Sequence, residues 1–150
     1  MMQLYSHDFS ELWAGGPRGE LGGNGLFATY PLDAWWREPD HVPLLVKVGG
    51  FLTGFALLDH MSHTGLPLDR NMAEFFIVRK HRRNGVGTAA ARMIFKRYPG
   101  RWETAVARVN HAALAFWRAA IEPLAEDVDL IDVESASWNG PVLRFRINAP

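Results

Sequence analysis

The chain has 150 residues, 48% of them hydrophobic, and its 16 Lys and Arg cancel its 16 Asp and Glu. That size and apolar content suit one domain around one core, and the neutral balance argues against a dedicated nucleic-acid binder. The sequence has no cysteine, which excludes a disulfide framework, thiolate metal sites and a cysteine nucleophile. With no membrane-length apolar run and no signal-like start, the expectation is a soluble cytoplasmic protein with no membrane partner.

Leu4, Phe9, Leu12 and Trp13 recur at roughly helical spacing, so the chain opens on a helix, which the stretch AGGPRGELGGNG ends. A short helix or lid is expected around residues 32–36. The runs LLVKV and FLTGFALLDH face each other across Gly49 and Gly50 as a hairpin. His60 and His63 follow in a polar loop with no further ligand pattern near them, and read as solvated loop histidines rather than a metal site.

MAEFFIVRK reads as a strand with Glu74, Phe76 and Val78 on one face and Phe75 and Ile77 on the other. It is nearly all apolar, so it should be central and covered on both sides. A helix is expected from about Gly87 to the Pro99-Gly100 stop, then a strand at 102–109, then a helix capped by Asn110. VDLIDVES and VLRFRIN close the chain as a second hairpin, with Asn139 and Gly140 in its turn. The order describes an α/β (α+β mixed sheet) fold in a single domain over residues 1–150.

The most informative stretch is VRKHRRNGVGT, between the apolar strand and the next helix. Glycines let several backbone N–H groups converge on one anion, and a helix start adds unsatisfied N–H groups. Arg79, Lys80, Arg82 and Arg83 place charge at that mouth. GVGTAA matches a weak dinucleotide fingerprint, but polar residues separate it from the strand. The next strand also carries Glu103 at its start and Arg108 at its end, the reverse of what a ribose requires. No G-K-[ST] is present for a Walker loop. A plain solvated turn and a nucleic-acid contact are the other readings of these charges.

Arg82 through Gly87 form R-x-x-G-x-G between a central strand and a helix, and this resembles the pyrophosphate loop of the GNAT N-acetyltransferases. Downstream, Asn110, Ala113, Phe116 and Trp117 are similar to the family's N-x-x-A-x-x-F-Y segment. The element order resembles the family over roughly residues 44–147, and the specific motifs lie in 74–117. The stretches EFFIVRKHRRNGVG and AFWR also resemble a bacterial branch of that family.

The resemblance implies a GNAT-like domain: a mostly antiparallel central sheet flanked by helices, splayed between the strands at about 73–78 and 102–109. It implies acetyl-CoA as cosubstrate, no metal, and acetyl transfer to a primary amine of a small molecule or peptide. Carried onto this sequence, Arg82, Arg83, Asn84, Gly85, Val86, Gly87 and Thr88 would cradle the pyrophosphate. The backbone of Ile77, Val78 and Arg79 would hold the pantetheine arm and the thioester carbonyl, with Asn110, Phe116 and Trp117 also on the cofactor. Asn110 would contact the pantetheine or the amine, and Glu74 would be the catalytic base, unless it is only a strand carboxylate paired to an arginine.

Trp117 stands where the family's Tyr acid usually falls, and indole cannot give up a proton at working pH. Tyr30 and His111 are the fallback acids, and a degenerate domain that binds CoA as a sensor or scaffold is the alternative function. Trp35 and Trp36 fall where the family builds its acceptor site, and could equally be core. The family's first strand is not evident before the opening helix, which would bare a sheet edge for homodimer pairing.

Overall fold

The computed structural model describes residues 1–13 and 17–149. Helix α1 (Met2–Ser10) runs into a single 3-10 turn at Glu11–Trp13, and the five-residue helix α2 (Asp33–Arg37) precedes the sheet. Strands β1 (Val42–Val48), β2 (Phe51–Asp59) and β3 (Arg70–Ile77) follow, then α3 (Val86–Arg97), β4 (Gly100–Ala105), α4 (His111–Ile121), β5 (Glu126–Glu134) and β6 (Asn139–Ile147). The six strands form one sheet in the order β1-β2-β3-β4-β6-β5. Every neighbouring pair is antiparallel except β3 and β4, which are parallel.

Each face of the sheet carries its own apolar layer. On one face Trp102, Phe145 and Leu143 pack against Phe95 and Ala91 of α3 and Trp117, Ala120 and Ile121 of α4. Arg92 of α3 fastens these two helices, donating to the carbonyls of Ala119 (2.9 Å) and Ala120 (3.2 Å) at the end of α4. On the other face Phe55, Leu57 and Phe76 pack against Tyr5 of α1, with Tyr30 and Trp35 closing the edge of that layer. A nearly all-apolar β3 is thus covered on both sides, as its sequence requires.

The opening helix, the short helix near 32–36 and the hairpin across Gly49-Gly50 all lie where the sequence places them. Among the described residues the first strand is β1, so the β1 edge of the sheet has no strand beside it. Two expectations need correction. The strand read at 102–109 ends at Ala105, because the backbone turns at Ala107–Asn110, closed by the Asn110 N–H on the Ala107 carbonyl (2.8 Å), to enter α4. Val106 stays buried beyond the strand end, and so kept the apolar pattern going.

The second hairpin turns at Ser135–Trp138 rather than at Asn139-Gly140. The Ser135 N–H donates to the Trp138 carbonyl (2.8 Å) and the Ser135 hydroxyl accepts from the Trp138 N–H (3.1 Å). Asn139 and Gly140 are already in the ladder, opposite Glu134 and Val133. Gly140 serves close approach instead, since a Cβ there would collide with the carbonyl of Val106.

A buried carboxylate fixes the long loop between β2 and β3. Glu103, fully buried on β4, accepts from the Ser62 hydroxyl (3.0 Å), the His63 N–H (2.8 Å) and the Thr64 hydroxyl, and pairs with Arg144 (2.8 Å). Burial alone would push its pKa up. The four donors outweigh burial and hold the carboxyl below its ordinary value.

Candidate active site

Helix α3 begins with its N-terminus open. Gly85 sits before it at φ +77°, a left-handed conformation that costs a residue with a Cβ about 1–2 kcal/mol, and no side chain caps the helix. Its carbonyl accepts from the Ala89 N–H (2.9 Å), which leaves the amides of Val86, Gly87 and Thr88 as the unsatisfied first turn. Arg83 is also left-handed (φ +64°), so the chain from Arg83 to Gly85 curls into the kind of amide concavity that receives anions.

The charged side chains of this loop divide into two sets. Lys80, Arg83 and the polar Asn84 are exposed at the mouth. Arg79 and Arg82 instead reach across to Asp8 of α1, Arg79 at 3.0 Å and Arg82 in a close ion pair. Arg82 also donates to the Ile77 carbonyl (2.6 Å) and lies 5.3 Å from the centre of the Phe76 ring. Burial would raise the Asp8 pKa, but the hydrogen bonds and charge of Arg82 and then Arg79 hold it below the ordinary range. Asp8 therefore ties the first helix to the glycine loop.

Next to the loop the sheet is split. β3 and β4 pair only at Arg70–Trp102 and Asn71–Glu103, and from Met72 onward the two strands run apart. Phe75 of β3 stacks on Phe116 of α4 (5.8 Å), and Gly87 lies against the same Phe116 ring, so slot and loop share a wall. Asn110 caps α4 by accepting from the Ala113 N–H (3.1 Å). The Val78 N–H is taken by the Thr53 carbonyl (2.8 Å) and the Ile77 carbonyl by Arg82. The Thr104 hydroxyl on β4 is buried without a partner among the described residues.

Trp117 is core rather than lining. It is 7% exposed, edge-on to Phe75 (5.1 Å) and Phe116 (4.9 Å). His111, the fallback acid, is exposed at the start of α4.

Glu74 lies on the opposite face, under α1. Its carboxylate accepts from two phenols, Tyr30 on Oε1 (2.6 Å) and Tyr5 on Oε2 in a very short contact. No arginine pairs with it among the described residues. Burial raises its pKa above the ordinary carboxylate value, against the hydrogen bonds of Tyr30 and Tyr5 and the charge of Arg18, with Asp59 adding to the rise. Burial and the Glu74 charge push both phenols well above their usual range. The arrangement is a carboxylate held in place by two neutral donors, with an affinity for protons set by its surroundings.

The sequence singled out Glu74 and Tyr30, but not Tyr5 or Asp8, whose partners lie 69 and 74 residues away. Trp35 joins this face, its ring 6.1 Å from Tyr30 and its indole N–H donating to the Leu58 carbonyl (3.2 Å), whereas Trp36 is 72% exposed. His60 accepts from Arg70 (2.6 Å), and His63 packs on Trp138 (4.8 Å) with burial lowering its pKa. Among the described residues no three His, Asp or Glu side chains are grouped to hold a metal ion.

The sheet is thus split at its one parallel pair, with an uncapped helix start next to the split and, on the strand that borders it, a carboxylate whose pKa is raised by burial. The Acetyltransferase (GNAT) family model matches residues 1–120, and the chain belongs to that family. Members of this family are acyltransferases with acetyl-CoA as cosubstrate.

The fold is similar to that of the PaiA N-acetyltransferase from Thermoplasma acidophilum in complex with coenzyme A, at 12% identity and a TM-score of 0.53. That match covers 77% of this chain and 66% of that one, so this chain spans just under two thirds of it. It is also similar to a Bacillus subtilis acetyltransferase in complex with CoA (9% identity, TM-score 0.50, 79% and 82% covered). A variant spermidine N-acetyltransferase from Vibrio cholerae is a third (11% identity, TM-score 0.52, 95% and 88% covered). At these identities the likeness is one of fold. No curated protein sequence matches the chain significantly. Among the described residues no helix is long and apolar enough to cross a membrane.

Proposed function

We propose that the protein transfers the acetyl group of acetyl-CoA to a primary amine, with Glu74 as the base. The observation that carries this reading is Glu74 itself: a carboxylate on the strand that borders the split, with a raised proton affinity and no cationic partner among the described residues. The residues present fit the cosubstrate. The open amides of Val86, Gly87 and Thr88 suit its pyrophosphate, and Lys80 and Arg83 suit its remaining phosphate. Beyond Asn71 the β4 side of β3 is unpaired, which suits the amide-bearing pantetheine arm. On β4 beside the split, Thr104 carries a buried hydroxyl without a partner among the described residues.

An amine reaches the site as an ammonium ion and must lose a proton before it can attack. Glu74 takes that proton while Tyr5 and Tyr30 hold its two oxygens in place. The amine nitrogen then forms the new bond to the acetyl carbon, the bond from carbon to sulfur breaks, and the second nitrogen proton goes to the departing thiolate. Tyr30, the less buried of the two phenols on Glu74, supplies a route for that proton. The Trp117 indole is buried in the core and takes no part. Asn110 is a cap first, and its role is to start α4 at the edge of the split.

A second copy of the chain is proposed to pair at the bare β1 edge, where Leu45 and Val48, and Phe51 and Leu52 beyond the turn, are exposed. We propose a cytoplasmic location, in keeping with the use of acetyl-CoA by a chain without cysteine. Labelled acetyl-CoA incubated with a broad amine panel tests the transfer, read as labelled product and free thiol in equal amounts. Acetyl-CoA binding with no transfer to any amine would support the alternative, a domain that binds the cosubstrate as a sensor or scaffold.

A further inference from the structure

On the α1–α2 face a cavity of ≈ 440 Å³ opens between α2 and the end of β2, walled by Trp35, His41, His60 and Met61 and lined also by Asp33 and Asp59. Asp59 is 4% exposed. One of its oxygens accepts from the Asn71 side-chain amide (2.9 Å) and the Met61 N–H (3.0 Å). Its other oxygen receives no donor, and no basic side chain pairs with it among the described residues. A largely buried carboxylate with one oxygen open to the cavity is best met there by a cationic or hydrogen-bonding group.

The cavity adjoins the base. Trp35 forms its wall and stands 6.1 Å from Tyr30, whose hydroxyl is on Glu74 (2.6 Å). His41 closes the far side, edge-on to Trp35 at 5.2 Å. The charge of Asp59 is felt at both Glu74 and Tyr30. His60 lines both this cavity and the neighbouring one, where it accepts from Arg70 (2.6 Å), and among the described residues no lysine or arginine lines this cavity itself.

We infer that this cavity selects the acceptor: an amine carrying a second positive group, ammonium or guanidinium, joined to the reacting nitrogen by a short apolar stem. The inference rests on Glu74 being the base. The distal cation meets Asp59, the stem lies against the Trp35 ring, and Asp33 at the mouth adds a second negative charge. Anionic and zwitterionic acceptors are disfavoured, because each would set a carboxylate near Asp33 and Asp59. A neutral donor would satisfy Asp59 alone and gain nothing from Asp33 or from the aromatic wall.

The test compares cadaverine, a diamine, with n-pentylamine, which has the same carbon chain and one charge fewer. Calorimetric binding of each to the CoA-saturated full chain is measured for the wild type, Asp59→Asn and the exposed Asp33→Asn. The wild type should bind the diamine at least about tenfold more tightly than the monoamine, and Asp59→Asn should bring the ratio close to one. If Asp59→Asn does not fold, the wild-type ratio and its reduction in Asp33→Asn decide the matter. Equal or tighter binding of the monoamine, an unchanged ratio in both variants, or no binding of either amine would overturn the inference. Acetyl transfer is followed in parallel. Transfer without preference for the diamine overturns the acceptor pocket and leaves Glu74 in place, whereas diamine binding without transfer overturns the transfer reading and leaves the pocket.

Discussion

Asp8→Asn removes one charge from the contact that joins α1 to the glycine loop. Asp8 is 12% exposed in its side chain and receives Arg79, itself 65% exposed, and Arg82, 37% exposed. The Arg79 pair is a surface ion pair and is worth little, on the order of 0–1 kcal/mol. The Arg82 pair is better shielded and charge-assisted, and after a discount for its remaining solvent contact contributes about 1–2 kcal/mol. Asparagine keeps one acceptor, so the expected loss at neutral pH is about 1–2 kcal/mol, or a fall in Tm of about 2–8 °C for a chain of this size.

The pH dependence gives the reasoning its sign. The folded pKa of Asp8 lies below its unfolded value, so its contribution is fully present above the unfolded value of about 3.9. It fades as pH falls through the folded value. Thermal unfolding of both proteins from pH 7 to pH 3 should show a gap that is widest at neutral pH and narrows once pH falls below the unfolded value. A gap that is absent at pH 7, or that keeps its size down to pH 3, would refute the ion-pair account. Affinity for acetyl-CoA should fall in the same variant, because Arg82 loses the partner that holds the loop.

Three other perturbations report on separate parts of the account. Gly85→Ala meets nothing within 4 Å, so its cost is conformational alone, about 1–2 kcal/mol by thermal or denaturant unfolding, together with weaker acetyl-CoA binding. Glu103→Ala leaves the partly buried Arg144 unpaired and frees the residue 62–64 loop. It should cost about 3–5 kcal/mol, measured by urea denaturation. Thr104→Val removes a buried hydroxyl with no partner among the described residues, so the free protein should gain up to about 1 kcal/mol while its calorimetric affinity for acetyl-CoA declines.

Local signals made most of the architecture legible. Gly49-Gly50 between two β-rich runs can only be a tight turn, and the apolar run through β3 demanded cover on both sides. The misread boundaries share one cause, which is that a local pattern cannot see a distant neighbour. Val106 is buried like a strand residue although the strand has ended, and Gly140 is needed beneath the Val106 carbonyl rather than in the turn.

The same limit shaped the reading of the site. The loop from Arg82 to Thr88 and the strand carboxylate Glu74 stood out because their chemistry is contiguous or placed by strand alternation. Tyr5, Asp8 and Asp59 act through partners on other elements. An ordinary helix tyrosine, a helix aspartate and a strand-end aspartate carry no pattern that marks them.

The central claim is that Glu74 accepts the amine's proton, and the pH profile of kcat/KM for wild type and Glu74→Gln tests it most directly. The wild-type rate should fall on the acid side as Glu74, whose pKa is raised, becomes protonated. The variant should be slower by about 10²–10³ at neutral pH, with acetyl-CoA affinity nearly unchanged. Its rate should recover about tenfold per pH unit toward the amine's own pKa of about 10, where the amine arrives already deprotonated. A variant with the wild-type rate and the wild-type acid limb would contradict the claim and remove Glu74 from the chemistry.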